Sequence, residues 1–85
     1  MTTLEHLLYH LRASGPSDCY GIEQYLRMQA QAVNPLNSWA VTELTIQTAL
    51  SRGFIEIYGE PDPEIYPPYD ITPNGIAYIQ MMESL

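Results

Sequence analysis

The sequence predicts a small α+β domain in which three helices are followed by a two-stranded β-hairpin and a closing helix. Three observations carry that expectation. The stretch Asn37 to Tyr58, NSWAVTELTIQTALSRGFIEIY, passes from a capping residue through a helical segment to a glycine stop at Gly53. It then turns directly into Phe54-Ile55-Glu56-Ile57-Tyr58, a β-branched and aromatic run that Gly59 breaks. Upstream, Leu4, Leu7, Leu8 and Leu11 keep the i, i+3, i+4, i+7 spacing of one buried helical stripe. Downstream, Thr72-Pro73 marks a helix start, because proline lacks only an N–H that the first helical position would leave unbonded.

The first helix is capped by Thr2 or Thr3 and ends before Ser14-Gly15-Pro16. His6 and His10 lie four apart, a spacing that suits two imidazoles on one metal ion. Glu5 points about 100° away on a helix and no third ligand is near, so the pair reads as solvated histidines and no metal is expected. Ser17 or Asp18 caps a second helix over about Cys19 to Ala32. Its inward residues are Ile22, Tyr25, Leu26, Ala30 and Val33, and Glu23, Gln24, Arg27 and Gln31 face outward. Cys19 sits where a helix N-terminus lowers a thiol pKa, but Asp18 opposes that and no base is recognisable, so it reads as structural. Asn34-Pro35-Leu36-Asn37 is a turn into the third helix. There Trp39, Thr42, Ile46, Ala49 and Leu50 share one arc facing the core. Val41, Leu44, Thr45, Thr48, Ser51 and Arg52 face outward, with Ala40, Glu43 and Gln47 at the edge.

Phe54 to Tyr58 forms the first strand, Gly59 to Glu64 the turn, and Ile65 to Ile71 the returning strand. Pro67-Pro68 makes the return irregular and marks it as an edge strand. Glu60, Asp62 and Glu64 place three carboxylates and no cation in the turn. This is either a solubilising loop that blunts the sheet edge or a binding surface. A calcium site there lacks the glycine-centred loop that would hold the ion. In the last helix Ile76, Ile79 and one of Met81 and Met82 pack inward. Ala77, Tyr78, Met81 and Leu85 then form surplus apolar surface, read as a homodimer contact or as a fraying chain end.

The 85 residues, 46% of them apolar, are enough for one modest core, so a single domain spanning 1–85 is expected. The net charge of -7 sets 10 acidic residues against three basic ones, Arg12, Arg27 and Arg52, which opposes polyanion binding. Cys19 has no intrachain disulfide partner, the N-terminus lacks a basic and apolar leader pattern, and no apolar run approaches ~20 residues. A cytoplasmic protein without membrane contact is therefore expected. No nucleophile, base or metal set converges, so neither an enzyme nor a cofactor is expected.

The order of elements resembles the winged helix-turn-helix superfamily, nearest to PadR and MarR-like regulators, over almost the whole chain. Ile46-x-x-Ala49-Leu50-x-x-Gly53-Phe54-Ile55 is similar to the Leu-x-x-Leu-x-x-x-Gly-Leu-Ile run that ends the family's recognition helix. Tyr69-Asp70-Ile71-Thr72-Pro73-Asn74-Gly75 is similar to its Tyr-x-Leu-Thr-Pro-x-Gly run between wing and last helix. The resemblance implies a dimeric DNA-binding regulator with its third helix in the major groove and its wing along the backbone. The contact positions depart from that pattern: Ala40, Val41, Glu43 and Leu44 follow the cap, and the wing is acidic. The expected function is therefore binding to another protein, a regulator or a nucleic-acid-handling protein. The expected contact set is Val41, Glu43, Leu44 and Thr48 with Glu60, Asp62, Glu64 and Asp70. Such a protein acts as an adaptor or antirepressor, or as an inhibitor whose carboxylates stand in for phosphates. In size, charge and fold it resembles the small acidic proteins that phages and other mobile elements use against host nucleic-acid machinery. The alternative is a dimeric winged-helix transcriptional regulator that aligns Arg27 and Arg52 of two copies on DNA.

Overall fold

The leucine stripe forms α1, Thr3–Ser14, and Leu4, Leu7, Leu8 and Leu11 are all buried. The computed structural model describes residues 1–85. Thr2 starts α1 with a capping box: the Glu5 N–H donates to Thr2 Oγ1 at 3.2 Å, and the Glu5 carboxylate accepts in return from the Thr2 backbone N–H at 3.5 Å. Gly15, at φ 80°, ends it by donating to the Leu11 carbonyl.

Asp18 caps α2, Cys19–Gln24, accepting from the Gly21 N–H at 2.9 Å. The expected helix to Ala32 is not formed. A π-helical turn, Tyr25–Gln29, widens the ladder until Ala30 N–H donates to the Tyr25 carbonyl, and Gln31 then takes φ 50°. Val33, expected inward, still packs on the core, and Ala32 joins it, from a loop instead of a helix face; Ala30, also expected inward, lies outside the core cluster because the widened turn ends there.

A 3-10 turn, Pro35–Asn37, leads into α3, Ser38–Ser51. Neither expected cap residue caps it: Asn37 makes no side-chain bond to the helix, and the Ser38 hydroxyl is drawn to Glu23. The buried residues are Ser38, Thr42, Thr45, Ile46 and Ala49, so the buried arc is turned by roughly 50° from the expected one. Thr45, expected outside, is buried, and Trp39, expected inside, is 42% exposed. Apolar character alone favoured Trp39. The buried arc instead follows contact with α1 and α2, which accepts small hydroxyl side chains. Gly53, at φ 73°, closes α3 with the paired bonds Gly53 N–H to Leu50 O and Phe54 N–H to Ala49 O.

Strands β1, Ile55–Ile57, and β2, Tyr69–Ile71, pair antiparallel, with Ile55 opposite Ile71, Glu56 opposite Asp70 and Ile57 opposite Tyr69. They are shorter than expected because Pro67 and Pro68 carry no N–H for a longer ladder. The return is not an edge at Tyr69, which also exchanges both backbone bonds with Ser17, at 2.8 and 3.0 Å. Ser17 thus extends the two-stranded sheet by one bridge.

Helix α4, Pro73–Glu83, is capped by Thr72, whose hydroxyl accepts from Gly75 N–H at 3.2 Å. The Thr72 N–H donates to the Phe54 carbonyl at 2.9 Å and its hydroxyl to Gly53 O at 2.5 Å, which ties α4 to the end of α3. The core is one cluster of ten side chains from α1, α2 with its π turn, α3, β1 and α4. Burying each Leu or Ile stabilises the fold by about 1.5–3 kcal/mol before entropy is counted. No helix is long and apolar enough to cross a membrane.

Candidate protein-interaction surface

Two of the three arginines are committed within the chain. Arg27 Nε lies 2.6 Å from a Glu23 carboxylate oxygen and Arg12 Nη2 lies 2.8 Å from Glu83, whereas Arg52 is exposed and makes no ion pair. Glu23, expected on the outer side of its helix, is only 5% exposed. Arg27 and then Ser38 hold its carboxyl below the usual range against the opposing effect of desolvation. The i, i+4 spacing of Glu23 and Arg27 was the one signal of this pair in the sequence.

Glu60, Asp62 and Glu64 are exposed in the hairpin loop. Asp62 also has a local role, since its Oδ1 accepts from the Glu64 N–H at 2.9 Å. Asp70 is half-buried and accepts from the Ile71 N–H at 2.8 Å. The register sets it directly across from Glu56, an acidic neighbour that sequence reasoning missed because only strand pairing joins them.

The predicted face of α3 divides between two flanks. Leu44 is 68% exposed, but Val41 and Thr48 are half-buried and the Thr48 hydroxyl donates to the Leu44 carbonyl at 2.8 Å. Glu43 points about 100° from Leu44. It lines a cleft of about 330 Å³ with Cys19, Tyr20, Trp39 and Tyr66. Tyr20 meets Trp39 edge to face at 5.1 Å and 81°, and meets Tyr66 at 5.2 Å and 79°. All three residues are exposed in part, at 53%, 42% and 61% for Tyr20, Trp39 and Tyr66. An adjoining hollow of about 360 Å³ continues past Ile46, Gln47 and Tyr69. Tyr66 also lines a separate hollow with Pro63, Glu64 and Ile65, so Glu64 is the loop carboxylate nearest this cleft along the chain. The cleft was not legible in the sequence, because Tyr20 and Tyr66 are distant along the chain and Trp39 was assigned to the core. Burial and then Asp18 push the Cys19 thiol up, opposite to the shift a reactive thiol needs.

On α4, Ala77 and Met81 are exposed and line a hollow of about 380 Å³ with Arg52, Phe54, Asn74 and Tyr78. Tyr78 is half-buried and stacks on Phe54 at 4.6 Å, so much of its surface already serves the fold. Leu85, 91% exposed, lies outside this hollow. His10, read as solvated, stacks on Tyr25 at 4.4 Å, and its Nε2 is enclosed with no hydrogen-bond partner. Burial lowers its pKa. No group of three His, Cys, Asp or Glu residues is placed to hold a metal ion. No protein-family model, curated protein or solved structure matches this chain.

Proposed function

We propose that this chain is an acidic winged-helix protein that works by binding another protein, as an inhibitor or antirepressor whose carboxylates replace nucleic-acid charge. The observation that carries this reading is the disposition of its cations. Arg27 is held by the buried Glu23 and Arg12 is paired at the surface with Glu83, which leaves Arg52 as the one arginine without an ion pair, while the hairpin loop bears Glu60, Asp62 and Glu64. Phosphate binding requires several unpaired cations that release counterions, and a single one supplies very little. A basic groove on a partner is the complementary surface, with charge setting the association rate and apolar contact setting the lifetime.

The winged-helix assignment rests on the element order and on Thr72-Pro73-Asn74-Gly75, where the cap, the helix start and the close approach to Phe54 each use a residue of that run. Self-association belongs to the same proposal, through the α4 hollow that Ala77, Tyr78 and Met81 share with Arg52.

The test is fluorescence anisotropy of a labelled random-sequence duplex titrated with the protein at about 50 mM salt, where phosphate contacts are strongest. No binding is expected. Saturable binding that weakens steeply with salt would replace this reading with that of a dimeric DNA-binding regulator.

A further inference from the structure

Building on the protein-binding reading, we infer that the cleft between Tyr20, Trp39 and Tyr66, with Glu43 in its wall, is a cation cup that takes an arginine side chain of the partner. Three aromatic rings from separate segments meet there and stay open to solvent, although burying them would stabilise the fold. Trp39 comes from the first turn of α3, Tyr20 from the first turn of α2, and Tyr66 from the loop before β2. Trp39 and Tyr66 each stand nearly perpendicular to Tyr20, so the group is braced by edge-to-face contacts before any ligand arrives.

A ring face carries negative quadrupole charge and attracts a cation, most strongly when the ring is tryptophan. Glu43 adds a full negative charge in the same wall, and Glu64 borders the hollow on the other side of Tyr66. The chain has no cation of its own to place there. Arg27 is held by Glu23, Arg12 lies over the Tyr9 ring at 4.8 Å while paired to Glu83, and Arg52 lines the distant α4 hollow. The occupant must come from outside, and the net charge of -7 selects a basic one. Guanidinium suits the cup better than ammonium: it is planar, more weakly hydrated, stacks on aromatic faces and presents a fork of N–H donors to a carboxylate. The volume of about 330 Å³ accepts such a head group with part of its stem.

Trp39 is the sole tryptophan and therefore reports on the cup directly. The probe is a capped octa-arginine peptide, followed in parallel by Trp39 emission and by titration calorimetry. Emission should shift saturably, with the same midpoint as the heat. Glu43→Gln and Tyr66→Ala should each weaken binding by about fivefold while circular dichroism stays unchanged, and octa-lysine should bind less tightly. Calorimetric binding with Trp39 emission unmoved, or with Tyr66→Ala at full affinity, would overturn the cup and leave the protein-binding reading standing. Equal affinity for octa-lysine would overturn the assignment to arginine. Absence of heat with either peptide would remove both the cup and the acidic-surface reading.

Discussion

The Ser38 hydroxyl donates to the Glu23 carboxylate across 2.9 Å and so ties the start of α3 to α2, while Arg27 holds the same oxygen at 2.6 Å. Removing the acceptor leaves two donors without their shared partner. Glu23→Ala should therefore destabilise the fold by about 1–3 kcal/mol in urea denaturation. The folded carboxyl has a lowered pKa, so its contribution is present above the ordinary carboxylate range and is lost as pH falls through the lowered value. Glu23→Gln should show a smaller pH dependence of stability below about pH 4.3 than the parent. An unchanged profile would mean that the pair does not couple to folding.

His10 titrates in a separate, higher window. Its Nε2 is enclosed and unpartnered, and burial lowers its pKa, so protonation favours the unfolded chain. Its contribution is complete above about pH 6.5 and is lost as pH falls towards the lowered folded value. His10→Phe keeps a ring against Tyr25 and should flatten the stability profile below about pH 6.5. Urea midpoints that still fall in parallel with the parent would assign the slope elsewhere.

Thr42 is fully buried and its hydroxyl has no partner. Valine has nearly the same shape without the unpaired group, so Thr42→Val should gain about 1 kcal/mol. For a chain of this size that raises Tm by roughly 4–8 °C. Thr45→Val gives the contrast, because the Thr45 hydroxyl donates to the Val41 carbonyl at 2.7 Å and no gain is expected. A lower Tm for Thr42→Val would show that the Thr42 hydroxyl is hydrogen-bonded in solution.

Gly75 lies where α4 meets the end of α3. A Cβ there would overlap the Phe54 carbonyl oxygen and come within 2.7 Å of Ile71 Cγ1. Gly75→Ala should cost about 1–3 kcal/mol despite the better helix propensity of alanine. Thermal melts followed by circular dichroism test this, and a neutral result would mean that α4 can move outward without loss.

Met81 is 52% exposed on the α4 hollow. Met81→Glu should shift sedimentation towards monomer if two copies meet through this face. A sedimentation coefficient that ignores both the substitution and a tenfold rise in concentration would remove self-association from the proposal.

Local chemistry made much of the fold legible. The Thr72-Pro73 start of α4 and the glycine end of α3 act through bonds within a few residues, the leucine spacing of α1 shows the helical period of a core-facing stripe, and the structure places all three as read. The second helix was overextended because apolar spacing does not distinguish a helix face from a loop that returns to the same core, as Ala32 and Val33 do.

The candidate surface was legible only in part. The acidic hairpin loop follows from composition, since consecutive prolines and carboxylates have nowhere to be buried. The aromatic cup does not, because it depends on how far α3 is rotated, and that rotation is decided by the fit of Thr42, Thr45 and Ala49 against neighbouring helices. Sequence alone determined the charge, the helix limits set by caps and glycines, and the strand signal after Gly53, all of which depend on local bonds or simple counts. Tertiary structure alone decided that Glu23 would be buried with Arg27 and Ser38, that Glu56 would face Asp70, and that Trp39 would stand beside Tyr20 and Glu43 on the surface. Those arrangements arise where distant segments meet, and close packing there outweighs the hydrophobicity of any single side chain.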